Sequence, residues 1–142
     1  MRALGLDWGE RRIGVALSDV LGLTAQRLTV IERQSMVHDL DVICDLIERH
    51  AVNVVVVGLP LTLRGESGVQ AQRASGFVEA LKRRTSVPVQ LVDERLTTAQ
   101  GERMLRETGA KRDKRKALID QVAAQLILQH YLDMQAQMRP ET

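Results

Sequence analysis

Four consecutive valines at 54–57, bracketed by Asn53 and Gly58, constrain this chain more than any other stretch. A strand with one wet face alternates apolar and polar residues, whereas an unbroken β-branched run has no side to offer water. Such a run reads as a parallel strand covered by helices on both faces. The sequence around it must therefore supply crossover helices and further strands.

It does so in order. Residues 2–6 form a short apolar run that delivers Asp7 to its C-terminal end, residues 8–11 turn, and 12–17 run back, predicting an antiparallel hairpin. Residues 24–31 read as a third strand. Ser35 is placed to cap a helix over 36–50, whose Val37, Leu40, Ile43, Cys44 and Ile47 recur at helical steps. After the valine strand, Ser67 and Gln70 have the spacing of a capping box for a helix running to Arg84, and 88–92 form a fifth strand. Thr97 with Gln100 opens a short helix that Gly109 stops, and 117–135 form a long last helix. The expected fold is α/β, a five-stranded mixed sheet with an antiparallel meander followed by parallel strands, flanked by helices. One domain over 1–138 and a frayed tail over 139–142 are expected.

Composition narrows the class. With 44% apolar and 27% charged residues, the 142-residue chain is globular. Its formal charge is only +2, with a sequence pI near 9.0, so any nucleic-acid argument rests on where the cations sit. Cys44 is the single cysteine, which excludes a disulfide framework and a cysteine zinc site. No apolar run approaches the roughly 20 residues that span a bilayer. A cytoplasmic protein without a membrane partner is the expectation.

Ligands of open α/β sheets bind beyond the carboxyl ends of the strands. Asp7 sits there, as does the pair Asp93 and Glu94; strand alternation lets only one of that pair share Asp7's side, and the longer arm favours Glu94. On the last helix Asp120 heads a stripe continued by Ala124, Ile127 and Tyr131, so an acid opens a core-facing row. A plainer reading has Asp120 complementing the helix dipole or pairing with Lys116. If the three carboxylates converge, their mutual repulsion calls for divalent cations, and hard oxygen ligands select Mg²⁺ or Mn²⁺. Ions so held suit displacement at a phosphodiester.

Lys111, Arg112, Lys114, Arg115 and Lys116 put five cations into six positions just before Asp120. These residues, with Arg64 in the glycine-containing loop after the valine strand and Arg95 beside Glu94, are the candidate phosphate contacts. Trp8, Phe77 and Tyr131 are the only aromatics, too few for a base-stacking platform, so recognition should rest on charge and duplex or junction shape. Trp8 reads as core or as a base contact at the site's mouth. Ser18 and Asp19 either line the rim or make a turn.

Taken together, Leu4-Gly5-Leu6-Asp7-Trp8-Gly9, Arg12-Ile13-Gly14-Val15-Ala16-Leu17-Ser18-Asp19, Gly58-Leu59-Pro60-Leu61, Asp93-Glu94-Arg95-Leu96-Thr97-Thr98 and Lys114-Arg115-Lys116 with Asp120, Ala123 and Ala124 closely resemble the RuvX/YqgF family. The resemblance implies an RNase H-like fold, likeness to Holliday junction resolvases, and a nuclease maturing the 5′ end of pre-16S rRNA in the bacterial cytoplasm. It also implies that Asp7, Glu94 and Asp120 carry metal-dependent chemistry. Related resolvases place further acidic or histidine groups on the last helix; here Asp120 stands alone near its start, which suggests Lys116 for a substrate-phosphate or transition-state role. Two rivals remain: a non-catalytic nucleic-acid module, and an actin-like or sugar-kinase ATPase, whose two lobes exceed what 142 residues supply.

Overall fold

The central strand β1 (Ala3–Trp8) pairs antiparallel with β2 (Arg12–Ser18) on one side and parallel with β4 (Val54–Leu59) on the other. Edge strand β3 (Ala25–Glu32) lies beyond β2, and β5 (Val89–Asp93) beyond β4, giving the order β3-β2-β1-β4-β5. Among the described residues the helices are α1 (Met36–Arg49), α2 (Val69–Arg84) and α3 (Arg112–Met138). The computed structural model describes residues 1–59, 69–93 and 112–138. The short helix expected after Thr97 lies outside the described residues.

The mixed sheet agrees with the sequence-based expectation, including the doubly covered valines, of which Val55, Val56 and Val57 are fully buried. Val55 and Val57 face one layer, with Leu4, Leu6, Trp8, Ile13 and Val15; there Ile43 of α1 and Phe77 and Leu81 of α2 cover them. Val54 and Val56 face the other layer, with Ala3 and Ala16, beneath Ala124, Ile127, Leu128 and Leu132 of α3. Each such fully buried aliphatic side chain contributes on the order of 1.5–3 kcal/mol.

Ser35 caps α1 as expected, its side chain accepting from His38 N. Two boundaries differ from expectation. Trp8 continues β1 instead of opening the turn, because its indole joins the α1/α2 layer. The last helix is already present at Arg112, ahead of the expected Ala117, so most of the basic run is helical. Lys and Arg are nearly as good helix formers as Leu, and a charged run carries no apolar period to announce the start.

The α3 side of the sheet is built for close approach. A Cβ on Gly5 would lie 2.8 Å from Leu128 Cβ and 3.0 Å from Ala124 O, and one on Gly14 only 1.9 Å from Asp120 O. Glycine at these two positions lets the helix backbone rest on the strands. Glutamines then fix how far α3 lies along β3: Gln129 Oε1 accepts from Ala25 N at 2.9 Å, Gln129 Nε2 donates to Leu23 O at 3.0 Å, and Gln125 Nε2 donates to Ala25 O at 3.0 Å.

Candidate active site

Asp7 lies inside β1, in register with Gly14 of β2 and Gly58 of β4. It shares the parity of Ala3 and Gly5, hence the α3 side, and is 6% exposed. Gly14 has no side chain, and the space above it is taken by the α3 backbone at Asp120. Helix α3 approaches this same spot, since Asp120 O is the atom over Gly14, Asp7's own register partner. The fold therefore carries Asp7 and Asp120 to one end of one face. Ala124, Ile127 and Tyr131 continue the stripe inward, the first two fully buried, as the helical spacing predicts.

The Asp120 side chain, 23% exposed, faces a cation that was not among the candidate site residues: Arg12 Nη1 stands 4.0 Å from Asp120 Oδ2, while Arg12 Nε donates to Glu32 Oε1 at 3.2 Å. Arg12 is two residues before Gly14 and so on the same side of β2. That parity was the available signal.

Val92, in register with Gly58, packs on the α3 side, and Asp93 closes β5 one step further on at the register of Leu59. The side chain of Asp93 and all of Glu94 and Arg95 are outside the described residues. So are Arg64, Lys111 and the side chains of Arg112, Lys114, Arg115 and Lys116, although the backbone from 112 onward is helical.

Behind Asp7, on the α1/α2 face, a half-buried arginine paired with a buried carboxylate braces the turn that follows it. Arg33 Nε donates to Asp39 Oδ2 at 3.3 Å, and Arg33 Nη1 donates to Gly9 O at 3.2 Å and Glu10 O at 3.0 Å. Its Cζ lies 4.7 Å from the centroid of the Trp8 ring, close enough for a cation–π attraction. Asp39, 1% exposed, also accepts from Gln34 N at 3.2 Å, and His38 Nδ1 lies 3.1 Å from its Oδ1. A carboxylate this deeply buried demands such partners, and here they lock the exit of β1.

The alternatives left open by sequence for Trp8, Ser18 and Asp19 are thereby resolved. Trp8 is core, its ring 6.4 Å from that of Phe77 and facing away from Asp7's side. Ser18 and Asp19 make a turn at the opposite end of the sheet, where Ser18 Oγ accepts from Ala3 N at 2.8 Å and donates to Asp19 O. Asp19 Oδ1 accepts from Leu23 N and Thr24 N, and those backbone donors hold its carboxyl below the usual carboxylate range.

Comparison with known proteins fits this arrangement. The family described as "RuvX: Holliday junction resolvase" matches residues 1–134. The chain belongs to that family.

Among similar proteins, one from Halothermothrix orenii is 47% identical over 135 residues, covering 95% of this chain and 96% of its own. Another, from Thermoanaerobacter pseudethanolicus, is 48% identical over 136 residues, covering 95% and 98%. Both are named "Putative pre-16S rRNA nuclease". Among solved structures, Thermus thermophilus RuvC in complex with Holliday junction substrate matches with a TM-score of 0.60 at 19% identity, covering 96% of both chains. The fowlpox virus resolvase complex with Holliday junction DNA matches at 0.58 and 11%, covering 98% of this chain and 100% of the other. At those identities the likeness establishes a shared fold, and the RuvX-family sheet described above is RNase H-like.

Proposed function

We propose that this RuvX-family chain is a divalent-metal-dependent nuclease that hydrolyses phosphodiester bonds in structured nucleic acid, with processing of the 5′ end of pre-16S rRNA as its task. The observation that carries the proposal is the meeting of two acids from distant parts of the chain: Asp7, nearly buried between two glycines, and Asp120, whose backbone rests on one of them. Family membership and the names of relatives covering nearly the whole chain support the reaction class and the substrate.

Two carboxylates on one face are hard oxygen donors, which fits Mg²⁺ or Mn²⁺. Glu94 completes the set in this reading, as the family resemblance implies. Bound between these acids, such ions would activate a water and neutralise charge on the leaving oxygen. The chain's own residues do the rest. Asp7 and Asp120 fix the position of the cut relative to the sheet, and the cations at 111–116, with Arg64 and Arg95, draw the phosphate backbone to that end.

A cytoplasmic setting belongs to the same proposal, supported by the lone cysteine.

The test is direct. Pre-16S rRNA leader and a four-way DNA junction are each incubated with and without Mn²⁺, beside an Asp7→Asn control. Expected is Mn²⁺-dependent cutting of the leader, reduced at least about a hundredfold in the control, as loss of a charge-organising group commonly costs. Cutting of the junction alone would replace the RNA reading with branched-DNA resolution, which the family description favours. Binding of both without cutting would leave only a nucleic-acid module.

A further inference from the structure

We propose that Arg12 is an exchangeable counter-ion of the site: it neutralises Asp120 while no divalent ion is bound, and turns to a backbone phosphate of the nucleic acid when an ion takes that carboxylate. The inference rests on the reading of Asp7 and Asp120 as ion ligands. Its geometry is that of a tethered arginine with a loose outer end. Nε is fixed to Glu32 on the neighbouring strand at 3.2 Å, whereas Nη1 stands 4.0 Å from Asp120 Oδ2, too far for a hydrogen bond. Attraction to Asp120 is therefore Coulombic and easily exchanged.

A guanidinium carries five N–H donors. Among the described residues, Nε is the only side-chain nitrogen of Arg12 that donates a hydrogen bond. The four N–H groups on Nη1 and Nη2 form the fork that matches two phosphate oxygens, which a lysine cannot reproduce. The side chain is 25% exposed, at the edge of the face that holds Asp7, so its outer end can reach a ligand arriving from solvent. The Glu32 tether holds the stem while that end changes partner. Arg12 and a divalent ion then compete for one carboxylate, and nucleic acid gains a contact only after the ion has won.

Two measurements test this on Arg12→Ala, Arg12→Gln and Arg12→Lys. In calorimetric titration with Mn²⁺, removal of the competing charge should tighten binding about three- to tenfold in the Ala and Gln proteins and leave the Lys protein near wild type. In binding of a four-way DNA junction over a salt series, Ala and Gln should lower the log–log slope by about 0.9, one phosphate contact, in Ca²⁺ and leave it unchanged in EDTA. A residue that merely supports the fold does not raise ion affinity. Equal or weaker Mn²⁺ binding by both neutral variants, in a protein whose wild type binds Mn²⁺, overturns the competition and leaves the nuclease reading standing. A slope change of equal size in EDTA and Ca²⁺ overturns the exchange. A wild type that binds no Mn²⁺ removes the nuclease mechanism together with this inference.

Discussion

The two faces of the sheet are made of different materials. Beneath α1 and α2 lie Leu4, Leu6, Trp8, Ile13, Val15, Val55 and Val57, met by Ile43, Phe77 and Leu81, large side chains interdigitating over a wide area. Beneath α3 lie Ala3, Gly5, Asp7, Gly14, Ala16 and Gly58 beside Val54 and Val56, and the helix answers with Ala124 near Asp7's end and with Ile127, Leu128 and Leu132 further along. Volume on one side supplies burial; small residues at Asp7's end of the other let a helix backbone come within contact of a strand, bringing Asp120 to Asp7. The same strands thus hold the fold together with one set of alternate residues and present chemistry with the other.

Substitutions on each face put that division at risk. Leu81→Ala removes a fully buried side chain of the α1/α2 layer, far along α2 from Asp7's end, and should cost about 2–5 kcal/mol in urea denaturation. Turnover by the protein that remains folded should be unaltered; a loss of turnover matching the loss of stability would erase the distinction between the faces. Gly14→Ala should also destabilise, by about 1–3 kcal/mol, since the clash is with Asp120 O and a backbone atom yields only by moving the helix. Its effect on cutting should exceed its effect on melting, and an active Gly14→Ala protein would sink the role given to close approach.

The smallest effect lies at the far end of the sheet, at Asp19. Because backbone N–H groups of Thr24 and Leu23 depress its folded-state pKa, its contribution is present above the unfolded pKa and fades as pH falls through the folded one. Asp19→Asn should flatten the acid limb of the stability profile, the two proteins converging in strong acid, with cutting at neutral pH untouched. A change in Mn²⁺-dependent cutting would return Asp19 to the site from which its position removes it.

Strand pairing was legible because alternation and β-branching are local properties. The hairpin, the covered valines and the Ser35 cap follow from residues within a few positions of one another. Asp7 and Asp120 were legible as candidates for a similar reason, each an acid interrupting an otherwise apolar pattern. What escaped was tertiary. Arg12 announces nothing on its own, and its meaning comes from Glu32 one strand away and Asp120 over a hundred residues on. The Arg33–Asp39 pair looks like two surface charges in sequence, and becomes a buried clamp only when Trp8 turns inward beneath it. That α3 already includes Arg112 was obscured because helix propensity in a lysine–arginine run is high while its apolar signal is nil.

The inward turn of Trp8 has a practical corollary. It is the chain's sole tryptophan, the immediate neighbour of Asp7, stacked under Arg33 and sealed from water at 3% exposure. Its emission is thus an intrinsic optical gauge placed on the reverse side of the chemistry, shielded from any bound polyanion yet joined by one peptide bond to the residue whose occupancy matters. Ion loading could be followed by light alone, without attaching a dye to a surface that nucleic acid must touch.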